Sequence, residues 1–394
     1  MNDHKKRLYF IDAIRAWAIL MMLQGHFIDG LLDNAFRDNS NLLFSTWKYF
    51  RGITAPVFFT VSGFIFTYLL IKVPQVGWKN PRVKKGIKRG FELLIIGYLL
   101  RLNLFGLLKG EIYSSFYLVD VLHCIGLSIL GIILIYLSTV KTKKWLFPTA
   151  LLSVTIILFI LEPAYKTLNF NVLPQWLANY FTKTNGSVFT IFPWFGYTTF
   201  GSFMSVLFTK YKNSKFLYPT AISLSVIVGL VLILYSSNFF LNISKITGIQ
   251  IFADIFFNNY LFIRLGDVLI VFSIFMLFRQ FLTHKTALRL GQSTLSIYVV
   301  HFIILYGSFT GLGLYGFFNH TLTPWVVIPG AITFMIVCSY LALRYEDKKA
   351  EIKESLKKVF TIFRLQIERF MVIFLGYTRS FISKLVKLFG FIKS

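Results

Sequence analysis

Residues 10–27 read FIDAIRAWAILMMLQGHF, and this stretch decides the fold. Most of its side chains suit a helix in lipid, yet it carries Asp12, Arg15 and His26. An ion at mid-membrane depth is costly unless it is paired or wetted, so such residues turn toward the interior of a bundle. Arg15 and His26 are eleven steps apart. At about 100° per residue, eleven steps return to within roughly 20° of the start and rise about 16.5 Å. The two side chains are therefore expected on one helix face, at two depths of one cavity inside the bundle. Asp12 lies one turn before Arg15 and can pair with it.

The rest of the chain repeats the apolar theme. Of 394 residues, 56% are hydrophobic and 14% charged, and 45 are Phe. Apolar runs of about 20 residues recur along the sequence, as transmembrane helices require. The alternation of a membrane barrel is absent. The pattern predicts an all-α, polytopic membrane helical bundle of about ten, at most eleven, spans. They fall near 8–30, 48–72, 89–108, 115–139, 145–163, 188–209, 216–236, 258–281, 289–310 and 324–343. The net charge of +25 sits mainly in short segments between runs: HKKR, KVPQVGWKNPRVKKGIKR, KTKK, KYKNSK, THKTALR and RYEDKKAEIKESLKK. Ten alternating helices put all of these on one side. This predicts cytoplasmic N- and C-termini and argues against nucleic acid as the partner of the charge. The membrane domain is expected over 1–343. The tail 344–394 mixes Lys and Arg with Phe, Ile and Leu at helical spacing, which predicts an amphipathic helix on the inner membrane surface. The Lys-, Asn- and Ile-rich composition points to a bacterial inner membrane.

Further polar residues are buried in the runs. Asp120 and His123 are one turn apart in the fourth span, and Arg264 and Asp267 one turn apart in the eighth. His301 lies in the ninth, and Arg51 opens the second at the outer surface. By this topology His26, His123 and His301 share the outer half of the bundle. Three histidines can hold a metal, but their spacing is no ligand motif, and no metal is expected. Cys124 and Cys338 lie inside apolar runs and imply no disulfide framework. In chemical terms, Arg15 suits an anionic or carbonyl-bearing donor from the cytoplasm. His26 suits a general base, or a transient acyl carrier, toward an outer hydroxyl or amine. Gln24, Ser62 and the Ser293–Ser296 group are candidate oxyanion donors. Pro56 with Gly63, and Pro193 with Gly196, mark close helix packing.

IDAIRAWAILMMLQGHF resembles the Arg-ten-residues-His helix that opens transmembrane acyltransferases. DVLHCIGLSILGI, FTIFPWFGYTTFGSFMS and LGQSTLSIYVVHF resemble, in order, later blocks of the bacterial relatives of heparan-α-glucosaminide N-acetyltransferase. The resemblance spans most of 8–310. It implies acetyl-coenzyme A as donor and cosubstrate, an extracytoplasmic saccharide acceptor and a homodimer. It places Arg15 and His26 at the donor-binding and catalytic positions, and Asp12 is grouped with them as the partner of Arg15. Asp120, His123 and His301 fall on polar positions of the later blocks and, with Arg264, Asp267 and Arg51, are assigned to substrate binding. Lys84, Lys85, Lys88 and Arg89 are assigned to the coenzyme A nucleotide. Two features depart from the pattern: Ala16–Trp17 follows the Arg where Gly is usual, and the outer loop after the first span has no His. Three alternatives stay open: an acyltransferase-3-type O-acyltransferase using a larger acyl group, a transporter or flippase, and a structural or sensor membrane protein whose buried charges serve packing alone. The inverted repeats common in transporters are not visible.

Overall fold

The computed structural model describes residues 8–168, 170 and 172–388. The basic HKKR segment at 4–7 lies outside them. The described residues form helices and turns, with no strand. Eleven helices matter here: α1 (Tyr9–Leu31), α2 (Leu42–Ile71), α3 (Pro81–Arg101), α4 (Val121–Thr139), α5 (Leu146–Ile160), α6 (Ile191–Lys210), α7 (Leu217–Thr247), α8 (Tyr260–Leu277), α9 (Lys285–Gln292), α10 (Thr294–Tyr306) and α11 (Pro324–Leu388). The chain divides into two compact units between Leu341 and Ala342, a boundary that falls within α11.

Among the described residues, six helices are long and apolar enough to cross a membrane: α1, α2, α4 with its lead-in from Ser114, α7, α8 and α11. The pair α9 and α10, bent by 71° at Ser293, makes a seventh if counted as one span. The multi-pass helical architecture is thus present, but this count falls short of ten for physical reasons. The first half of α3 carries Arg82, Lys84, Lys85, Lys88 and Arg89, α5 has only 15 residues, and α6 is broken up by Thr, Ser and Gly.

Local sequence accounts for the helix ends near the site. Asn41 accepts from the amides of Leu43 and Phe44 and starts α2, and Asn80 caps α3 ahead of Pro81. Within the first unit, Phe10, Ile11, Ile14 and Ala18 of α1 pack on Ile53, Val57, Val61 and Phe64 of α2. Phe208 of α6 and Val268, Phe272 and Met276 of α8 complete this core. Lipid gives no hydrophobic drive between helices, so close approach must come from small residues. A Cβ at Gly63 would sit 1.9 Å from the Thr198 carbonyl oxygen, and one at Gly201 1.8 Å from that of Thr60. α2 and α6 therefore cross backbone to backbone, and the Ser202 hydroxyl donates to the Gly63 carbonyl at 3.2 Å. Residues 324–341 of α11 bury Val327, Ala331, Phe334 and Cys338 at helical spacing. In the second unit, exposed Phe, Ile and Leu alternate with ion pairs one turn apart: Lys349–Glu346 and Lys358–Glu354 at 3.0 Å, and Arg364–Glu368 at 3.2 Å.

Candidate functional site

The site is built on α1 and α10. Arg15 Nη2 donates to Thr294 Oγ1 at 3.0 Å, and Tyr306 Oη lies 3.0 Å from His26 Nδ1. Thr294 opens α10 and Tyr306 closes it. The two helices therefore run side by side in the same direction, and Arg15 and His26 leave α1 toward one neighbour at two levels. The α9–α10 elbow can come this close because position 291 is Gly, where a Cβ would meet the Asp12 carbonyl oxygen at 1.9 Å. Buried Asp12 reaches Arg15 at 3.7 Å.

His26 forms part of the wall of a cavity of about 230 Å³ between α1, α2 and their neighbours. Met21, Met22 and Gly25 line it from α1, Arg51 and Gly52 from α2, and Tyr260 from α8. Its far wall is aromatic: Trp194 is stacked on Phe59 at 5.2 Å and lies 4.9 Å from Phe189. Arg15 is not among the lining residues. Sequence reasoning expects one chamber shared by both groups; here the Arg15 guanidinium is turned to Thr294 and Asp12. Behind His26, the ring of fully buried His301 lies 5.5 Å away, among Tyr298, Phe302 and Tyr306. Neither His301 ring nitrogen has a partner in hydrogen-bond geometry among the described residues. The carbonyls of Ile297 and Tyr298, one turn back, are polar groups beside it.

Of the remaining predicted residues, only Arg51 lines this cavity. Arg51 pairs with Asp29 at 2.5 Å, and the same Asp29 also takes Arg37, both through its carboxylate at 3.5 Å and through its carbonyl. Arg264 binds Asp267 at 2.9 Å and lies 4.3 Å from the Tyr49 ring, whose hydroxyl donates to Asp267 at 2.7 Å. This pair braces the first half of α2 against α8, and its neighbour Tyr260 donates to the Gly52 carbonyl at 3.3 Å. Neither Arg264 nor Asp267 lines the cavity. Asp120 is gripped by Arg101 in a bidentate pair, Nε to Oδ2 at 2.5 Å and Nη2 to Oδ1 at 2.6 Å. Asp120 is also the N-cap of α4, and His123 Nδ1 accepts its backbone N–H at 3.1 Å. The one-turn spacing of Asp120 and His123 thus serves a capping box. His123 packs under Tyr98 at 4.4 Å and is not brought to His26 with His301. Lys84, Lys85, Lys88 and Arg89 stand exposed along α3, Lys88 and Arg89 beside Glu92 at 4.0 and 3.6 Å, and none lines this cavity. Among the candidate oxyanion donors, Gln24 accepts from Trp47 Nε1 at 2.8 Å, and Ser62 donates to the Phe58 carbonyl at 2.7 Å. Among the described residues, no group of three His, Cys, Asp or Glu is placed to hold a metal ion.

Four residues at this site are not singled out by sequence reasoning: Asp29, Tyr49, Arg101 and Tyr306. Only Asp29 carries a local signal, one turn after His26 in GHFIDG. The others act through partners distant in sequence.

Residues 7–243, well over half of the chain, match the family model for the catalytic region of heparan-alpha-glucosaminide N-acetyltransferase. The chain belongs to this family. No curated protein matches the sequence. The family match contains Arg15, His26, the Arg51–Asp29 pair, the Asp120–His123 cap and the Trp194 wall. α8 and α10, with Arg264, Asp267, His301 and Tyr306, lie beyond it. Membership in the heparan-alpha-glucosaminide N-acetyltransferase family makes acetyl transfer the chemistry to set against this geometry.

Proposed function

We propose that this chain is a membrane acetyltransferase that takes an acetyl group from cytoplasmic acetyl-coenzyme A and delivers it to a hydroxyl or amine of an extracytoplasmic sugar. The chain crosses a bacterial inner membrane ten times with both termini inside, α9 and α10 forming one bent crossing and the tail lying on the inner surface. The observation that carries the reading is the alignment of Arg15 and His26 along α10, with His26 on a cavity wall.

Each group has a defined task in this reading. Arg15, at the cytoplasmic end, holds the donor's carbonyl or phosphate oxygens, and the exposed run Lys84, Lys85, Lys88 and Arg89 attracts the coenzyme A nucleotide. His26 with Nδ1–H donated to Tyr306 Oη leaves Nε2 unprotonated, the form a base requires. The acceptor proton passes to His26, the thioester C–S bond breaks as the new C–O or C–N bond forms, and the proton leaves on the coenzyme A thiol. The same nitrogen can instead carry the acetyl group between donor and acceptor. The aromatic wall of Phe59, Phe189 and Trp194 excludes water from the acyl group and offers faces on which a sugar ring stacks.

The test is acetyl transfer from radiolabelled acetyl-coenzyme A by purified full-length protein, with His26→Ala and Arg15→Ala alongside. Loss of transfer in variants that remain monodisperse and melt like wild type supports the reading. Transfer unaffected by either substitution, or no acetyl-coenzyme A turnover by wild type, overturns it.

A further inference from the structure

A second cavity, open on one side and about 650 Å³ in volume, runs along the seam between α1 and the start of α2. Its walls include Trp17, Met21 and Gln24 from α1 and Leu43, Trp47 and Phe50 from α2. It is not a plain lipid-facing surface. Gln24 and Trp47 bridge its walls through their hydrogen bond at 2.8 Å, which satisfies both polar groups. Leu43 is 82% accessible and Phe50 50%, so the groove stands open along the side of the bundle.

This groove adjoins the His26 cavity. Met21 is a wall of both. At the junction stands Arg51, which lines the cavity and holds its guanidinium 5.8 Å from the Trp47 ring of the groove. Arg51 and Arg37 share the single carboxylate of Asp29, so the cluster keeps an excess positive charge. Arg264 nearby is already matched by Asp267. Side by side, the two present an apolar trough, a cation at their junction and an aromatic chamber with an imidazole. A free sugar has no use for the trough, and a bilayer lipid has no use for the chamber.

We propose that the acceptor is a saccharide joined through a phosphate to a hydrocarbon chain. The chain lies in the Trp17–Leu43–Phe50 groove, the phosphate meets Arg51, and the sugar enters the His26 cavity. This rests on the acetyltransferase reading above and narrows its acceptor class.

The experiment compares three acceptors for purified full-length protein: glucosamine, glucosamine 1-phosphate, and the dodecyl ester of glucosamine 1-phosphate. The dodecyl ester is expected to show a kcat/KM at least about tenfold above the other two, because tethering in the groove raises the local concentration of its sugar. Filling the groove with Leu43→Trp, or with Thr46→Trp further along the same wall, should lower that preference to less than about threefold, and Arg51→Gln should remove the advantage of phosphate. Binding is read separately with a dibrominated dodecyl ester, which should quench tryptophan fluorescence less in a Trp17→Phe/Trp47→Phe double variant than in wild type. Equal transfer to all three acceptors overturns the proposal and leaves the acetyltransferase standing. Chain-dependent quenching with no transfer to any acceptor keeps the groove assignment and sinks the acetyl chemistry. Quenching that the double variant does not reduce overturns the groove.

Discussion

Tyr306→Phe isolates the contact that orients His26. The substitution removes one oxygen, the one 3.0 Å from His26 Nδ1, and keeps the ring. The ring's packing is extensive: its centroid lies 4.8 Å from Phe302, 5.7 Å from Tyr315 and 6.4 Å from His301. A neutral hydrogen bond of this kind contributes about 0.5–1.5 kcal/mol net. If Tyr306 holds the reactive tautomer, that energy appears in the barrier. At about 1.4 kcal/mol per factor of ten, kcat should fall by about 2- to 10-fold. The KM for acetyl-coenzyme A should stay within about twofold, since the lost bond is not to the donor. The melting temperature should fall by no more than about 3 °C, because the ring still fills its site. Tyr306→Leu should in addition lower folded yield through lost aromatic packing. The assay is steady-state acetyl transfer with parallel thermal unfolding in detergent. A Phe variant with wild-type kcat would refute an orienting role for Tyr306, as would one whose loss of activity is matched by a large loss of stability.

Other contacts give further expectations. Gly63→Ala would bring a methyl group to 1.9 Å from the Thr198 carbonyl oxygen and should destabilise the bundle by about 1–3 kcal/mol or more. An unchanged melting curve would mean that α2 and α6 do not cross at that distance. Arg101→Gln leaves the Asp120 carboxylate buried without its bidentate partner, at a cost of about 3–5 kcal/mol, and adding Asp120→Asn should recover part of the lost yield. No recovery in the double variant would show that Arg101 acts apart from Asp120. Arg15→Gln should raise the KM for acetyl-coenzyme A with a smaller change in kcat; a fall in kcat alone would take Arg15 out of donor binding.

The helices themselves were legible, because apolar runs and the residues that interrupt them are local facts. Arg15 and His26 fall on one face by arithmetic alone, whereas the helix expected near 89–108 starts already at Pro81, because its basic first half reads as a loop. Partnerships across the bundle were less legible. Nothing near Arg101 says that it grips Asp120, and nothing near Tyr306 says that it meets His26, 280 positions away. The Asp120–His123 pair shows the opposite difficulty. One-turn spacing of an acid and an imidazole reads equally well as a binding pair or as a helix cap, and only the position of the α4 start separates the two. The basic run on α3 is legible as charge, but charge does not say whether a nucleotide sits on it.

The central claim is that donor and acceptor reach the reaction from opposite ends of one helix pair. Sealed proteoliposomes with uniformly oriented protein test it most directly, with labelled acetyl-coenzyme A on the face of Arg15 and acceptor sugar on the face of His26. The account predicts acetylated sugar only in the His26-side compartment, and none with His26→Gln. Product formed only when both substrates share one compartment would contradict it.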